Sequence, residues 1–87
     1  MRASHQEVKH QLAIAKGQIE GLMRMVDEDA YCIDVSNQLL ATIALLKKVN
    51  NQVITAHLEG CVLSAKDEGE IKDKLAEINS ILDRMSR

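Results

Sequence analysis

The sequence predicts an all-α protein, and three observations carry that prediction. The chain contains no proline, phenylalanine or tryptophan, and Tyr31 is its sole aromatic residue. It is rich in Leu, Ile, Val, Ala, Lys and Glu, residues that favour or tolerate helix and offer little to a sheet or a proline-punctuated loop fold. Its apolar residues recur at alternating spacings of four and three, the repeat that puts side chains on one helix face. At 87 residues, the chain is expected to form a single domain spanning 1–87.

The first helix is expected over about residues 5–27. Val8, Leu12, Ala15, Ile19, Leu22 and Val26 form its stripe. Ser4 is placed to cap it, with Glu7 three residues later completing a capping box. The acidic stretch "DEDA" then breaks the pattern as a short turn. The second helix is expected over about 33–60, started by Asp34 or the residues just before it, with Gly60 a candidate stop. Its stripe runs through Val35, Leu39, Thr42, Leu46, Val49, Val53 and Ala56. A second stripe through Leu40, Ile43, Ile54 and Leu58 widens the apolar arc, so this helix needs cover on two sides. "KDEGE" reads as a linker to a third helix over about 69–85, carrying Ile71, Leu75, Ile78, Leu82 and Met85.

Helices one and two should form an antiparallel hairpin, which covers only one side of helix two. Pairing two hairpins into a four-helix-bundle dimer covers the other, with the third helix docked outside. A lone three-helix bundle would leave the second stripe exposed. The chain is also short enough for oligomerisation to be a usual route to stability.

Composition narrows the function. The net charge of −2 excludes bulk polyanion binding, so any contact with nucleic acid must come from local basic patches. The lack of aromatics argues against single-strand readers that stack bases. Residues 1–11 are polar where a signal peptide needs an apolar core, and no apolar run approaches the length of a membrane span. A cytoplasmic protein with no membrane partner is expected. Its two cysteines would then sit in a reducing compartment, where metal binding or redox sensing is favoured over a structural disulfide. No phosphate loop or nucleophile–base–acid constellation marks an enzyme or a small-molecule substrate.

The stretch "AHLEGC" sets His57 and Cys61 four positions apart, on one face of a helix. Two soft donors hold a metal poorly. The remaining thiol, Cys32, lies at the other end of the long helix, roughly 37 Å away at about 1.5 Å per residue. In an antiparallel dimer the start of one long helix meets the end of its partner. Cys32 of one chain then faces His57 and Cys61 of the other. Two thiolates and an imidazole without a fourth donor suit a trigonal soft ion, Cu(I) above all, whereas zinc prefers four ligands. The same residues also fit plain packing, since cysteine often serves as a small buried hydrophobe and a lone histidine as a satisfied core residue.

The segment "GQIEGLMRMVDEDAYCIDVSNQLLA" (17–41), with the Cys32…His57-x-x-x-Cys61 spacing, resembles the copper-sensitive operon repressor (CsoR) family, over nearly the whole chain. That resemblance implies an all-α repressor of double-stranded operator DNA, built as a dimer of antiparallel dimers. It implies Cys32, His57 and Cys61 as the ligands for Cu(I), with release of DNA when the ion binds. It further implies Tyr31 and Glu77 as outer groups around the ligands, coupling the third helix to the second. Relatives in the family sense nickel, cobalt, formaldehyde or persulfides. His57 favours copper over the persulfide branch, in which Cys32 and the partner's Cys61 would form a reactive pair.

The chain departs from the family at the DNA face. Ala13 and Ile14 stand where the family usually has arginine before the "GQI" glycine. Lys9, Lys16, Lys47 and Lys48 are the residues left to carry phosphate contacts, with Arg24 a further basic residue. A copper buffer without a DNA role is therefore the reading from another class.

Overall fold

A computed structural model describes residues 1–64 and 68–85, the side chains of 61–64 excepted. The described residues form three helices in the order α1 (His5–Asp27), α2 (Cys32–Ser64) and α3 (Glu68–Met85).

Helix α1 starts where the sequence places it. Ser4 is the N-cap in extended conformation, and its hydroxyl accepts from the Glu7 backbone N–H at 3.3 Å. The helix ends in a six-to-one closure. Ala30 N–H donates to the Met25 carbonyl at 2.9 Å, and Asp29 N–H to that of Val26 at 3.1 Å. Asp29 takes the left-handed conformation (φ 57°) that glycine commonly supplies at this position. "DEDA" is thus a tight reversal that sends α2 back along α1.

Helix α2 begins at Cys32, with the Tyr31 carbonyl accepting from the Val35 N–H at 3.1 Å. Asp34 therefore sits in the first turn, where its charge suits the helix dipole, and is not the cap. The expected stop at Gly60 is corrected: α2 runs through it to Ser64. One glycine lowers helix propensity by about 1 kcal/mol, which flanking residues readily offset. Helix α3 starts one residue earlier than expected, so part of "KDEGE" belongs to its first turn, with Glu68 and Glu70 at the dipole's positive end. Lys66 and Asp67 of that linker lie outside the described residues.

The hairpin seam follows a seven-residue repeat. Val8, Ala15 and Leu22 of α1 are buried, as are Thr42 and Val49 of α2. Seven residues are two turns, so these positions form one line on each helix and meet along it. The intervening members of the predicted stripes, Leu12, Ile19, Leu39 and Leu46, remain exposed because one neighbour covers one line only. Helix α3 packs on α2 and does not reach α1. The outline measures 57 × 28 × 12 Å. A thickness of 12 Å is one helix diameter, so the chain is a single layer of helices and not a closed three-helix bundle.

On α3 the contact with α2 is rotated from the predicted stripe. Ile78, Ile81 and Met85 are half-buried, whereas Ile71, Leu75 and Leu82 are exposed. No residue of α3 is fully buried.

Candidate metal and coupling site

The seam carries one polar device. Thr42, 4% exposed, places its hydroxyl 2.8 Å from Gln18 Oε1 and 3.1 Å from the Gln38 carbonyl oxygen. The first contact crosses the hairpin and fixes the relative height of the two helices, because an unpaired hydroxyl at this depth costs about 1–3 kcal/mol.

Near the far end of α2, His57 meets α3. Its Nε2 lies 3.1 Å from Glu77 Oε1, and with the proton on Nε2 the ring donates to the carboxylate. Lys74, one turn before Glu77, is 3.9 Å from the other oxygen, Oε2. The side chains of His57 and Glu77 are 40% and 44% exposed, so water screens the pair and its strength is modest. Its value is directional. A carboxylate on one imidazole nitrogen sets the tautomer and presents the other nitrogen as a lone-pair donor. Arg2, Ile54, His57, Glu77 and Ile81 line a 260 Å³ pocket over this contact.

The structure therefore brings together two of the residues singled out from the sequence, His57 and Glu77. It keeps the others apart within one chain. Cys32 is the first residue of α2 and is exposed. Tyr31 precedes it and is 69% exposed. Both sit at the opposite end of the helix from His57. Cys61 is in α2, one turn beyond His57, and its side chain lies outside the described residues. Among the described residues no three His, Cys, Asp or Glu side chains gather into a metal cluster. Cys32 and His57 belong to one continuous helix, so a site that uses both must be completed by a second chain.

Lys9 and Lys16 are exposed on α1, two turns apart, and Lys47 and Lys48 are exposed neighbours on α2. Lys48 reaches a 470 Å³ groove shared with Ser4, Glu7 and Asn51. The residue that sequence reading missed is Arg2, whose side chain lies across α2 at Gly60. A glycine inside a helix, one position before a candidate ligand, was the available signal.

The hairpin also carries an apolar groove of 550 Å³, lined by Ile19, Met23, Val26, Leu39, Ile43 and Leu46 among others. Leu39 and Ile43 are each 46% exposed there. No helix of the described residues is long and apolar enough to cross a membrane.

The described residues thus form a one-layer helical hairpin with an outboard helix, a thiol at one end of the central rod and a carboxylate-held imidazole near the other. Residues 4–84 match the family described as metal-sensitive transcriptional repressors, and the chain belongs to it. It is 39% identical to the copper-sensing transcriptional repressor RicR of Mycobacterium tuberculosis over 74 residues, 83% of this chain and 77% of that one. It is 35% identical to the copper-sensing repressor CsoR of Mycobacterium ulcerans, over 79% of this chain and 59% of that one. With CsoR of Bacillus subtilis the identity is 26% over 93% of this chain and 80% of that one. Among solved structures, the nickel-responsive transcriptional regulator InrS superposes with a TM-score of 0.82 at 32% identity, over 98% of this chain and 96% of that one.

Proposed function

We propose that this metal-sensitive repressor responds to Cu(I), held by Cys32 of one chain with His57 and Cys61 of its partner, and that it binds operator DNA as an oligomer in the ion-free state. The observation that carries the reading is the His57–Glu77 contact at 3.1 Å. It orients the imidazole as metal-ligating histidines are oriented, and it does so from α3, an element with no fully buried residue. The residues fit the ion by chemistry as well. Two thiols and one imidazole are a soft, electron-rich set, better matched to Cu(I) than to oxygen-seeking cations.

A bound ion supplies a bond between donors that otherwise sit on separate chains. The protein's own groups do the rest. Glu77 holds the His57 ring and, with it, the position of α3 on α2. Ile78, Ile81 and Met85 give that position a shallow apolar seat that a small bias can deepen or release. Lys9, Lys16, Lys47 and Lys48 present charge to the DNA backbone, repeated in each copy of the chain, which offsets the lack of arginine at positions 13 and 14. The exposed apolar groove on the hairpin is the surface that a second hairpin would cover to complete a four-helix bundle.

Gel-shift of the protein's own promoter tests this, with Cu(I), Ni(II), polysulfide and no addition as parallel arms. Release by Cu(I), at one ion per chain and with a three-coordinate S₂N X-ray absorption signature, is the expected result. Release by Ni(II) alone would assign the signal to nickel, the metal to which the structural relative InrS responds. Release by polysulfide alone, with Cys32 crosslinked to Cys61 of a second chain, would favour persulfide sensing, which the exposed thiol of Cys32 permits. Failure to bind the promoter in every arm would leave copper buffering.

A further inference from the structure

Helix α2 passes through Gly60 without a break, and the Arg2 side chain lies on that glycine. A Cβ built at Gly60 would stand 2.9 Å from Arg2 Nε, 3.0 Å from Cδ and 3.1 Å from Cζ. The Arg2 side chain thus lies over the helix at Gly60, and a Cβ there would make it shift. A helix-interior glycine is otherwise a destabilising choice. Gly60 sits between the two candidate ligands of α2, three residues after His57 and one before Cys61. Arg2 also lines the pocket shared by His57 and Glu77. The placement puts a guanidinium in the pocket that holds His57, one of the candidate donors. Met1 lines the same pocket, the Glu77 carboxylate has Lys74 at 3.9 Å, and Glu59 lines a different groove.

We infer that Arg2 is a specificity-determining residue of the metal site, a counter-charge lying over Gly60 that favours a monovalent over a divalent cation. The inference rests on the reading of Cys32, His57 and Cys61 as ligands. Two thiolates and a neutral imidazole carry a charge of −2. A monovalent ion leaves the assembled site at −1, and a divalent ion leaves it at zero. With the same donor set, a nearby guanidinium therefore disfavours the divalent ion relative to the monovalent one, by its interaction with one unit of charge. Discrimination of this kind adds to that from donor softness and acts through charge count alone.

The test compares wild type, Arg2→Ala, Arg2→Lys, Gly60→Ala and the double variant Arg2→Ala/Gly60→Ala. Cu(I) and Zn(II) affinities are measured by competition with chromogenic chelators at low and high salt. Arg2→Ala should lower the ratio of Cu(I) to Zn(II) affinity roughly tenfold, equivalent to 1.4 kcal/mol. Arg2→Lys should retain most of the preference. Gly60→Ala should displace Arg2 and reproduce the loss, while its better helix propensity keeps the fold, checked by circular dichroism. The double variant should be no worse than either single one. The difference should shrink near 1 M salt, where screening acts over about 3 Å. Equal losses for both metals, or additive effects of the two substitutions, would overturn the inference. Wild type that binds Cu(I) through S₂N, with an unchanged Cu(I)-to-Zn(II) ratio in Arg2→Ala and Gly60→Ala, overturns this inference alone. Wild type without an S₂N site for Cu(I) overturns the ligand assignment and this inference with it.

Discussion

Thr42 is a polar residue in the middle of an apolar seam, and its hydroxyl joins two helices through Gln18. Replacing it with valine keeps the shape and removes the donor, leaving the Gln18 amide oxygen short of a partner in a half-buried site. Thr42→Val should cost about 1–2 kcal/mol in urea denaturation, and Thr42→Val with Gln18→Leu should cost less than Thr42→Val alone, because no orphaned acceptor remains. Periodicity put Thr42 on the buried line, correctly, as one apolar-stripe member among others. Its partner stands 24 residues away, and no local pattern announces a pair at that distance. Glu77 was legible only through the family resemblance. On spacing alone it is one of several acidic residues on α3, and its meeting with His57 depends on how α3 is rotated against α2.

At the level of elements, the reversal between α1 and α2 depends on Asp29 at φ 57°. Aspartate tolerates this conformation and a β-branched residue does not. Asp29→Val should lower stability by about 1–2 kcal/mol in thermal unfolding, whereas Asp29→Gly should be neutral or slightly stabilising. Equal effects of the two would show that side-chain contacts, and not backbone conformation, set the turn. Helix α3 is held by a shallow apolar seat and the half-exposed His57–Glu77 contact. Glu77→Ala should therefore change global stability by less than about 1 kcal/mol. Its expected effect is on coupling: the variant should still bind Cu(I) yet lose on the order of 1–2 kcal/mol of the difference in DNA affinity between the ion-free and ion-bound forms. Equal coupling in wild type and variant at one salt concentration would exclude the contact as a switch. The seven-residue lines and the Ser4 cap were readable in the sequence because each is local. The passage of α2 through Gly60 was not, because a single glycine marks a helix end and an uninterrupted helix alike, and the flanking residues decide between them. The face of α3 was misread for a related reason. Its stripe is wide enough to offer two seats, and only packing selects between them.

For the whole molecule, the governing feature is how little a single chain encloses. Leu39 and Ile43 lie exposed along the hairpin groove, continuous with the seam, in a layer one helix thick. An 87-residue chain organised in this way has few means of stability besides a partner. Ile43→Glu should convert the oligomer to monomer in sedimentation velocity, lower the helical signal, and remove the dependence of thermal midpoint on protein concentration. A monomer that keeps full helicity and midpoint would show that the hairpin is self-sufficient and that the groove has another use. The sequence disclosed this need for cover through the second stripe of α2. It did not disclose that α1 would leave alternate turns bare as well, since periodicity reports which residues are apolar and not how many neighbours arrive to bury them.

The 33 residues of α2 form an unbroken rod about 50 Å long at roughly 1.5 Å per residue, with a thiol at its first residue and the His57 imidazole near its last turns. A rod of that length magnifies angle into displacement. A tilt of about 2° about one end carries the other end through about 1.7 Å, by the same rise per residue. Packed side chains notice a shift of that size, and an adjustment too slight to alter any hydrogen bond within the helix is enough to produce it. Any group bonded at one end of the rod therefore works with mechanical advantage over whatever rests on the other, and the continuity of α2 through Gly60 is what keeps the lever stiff.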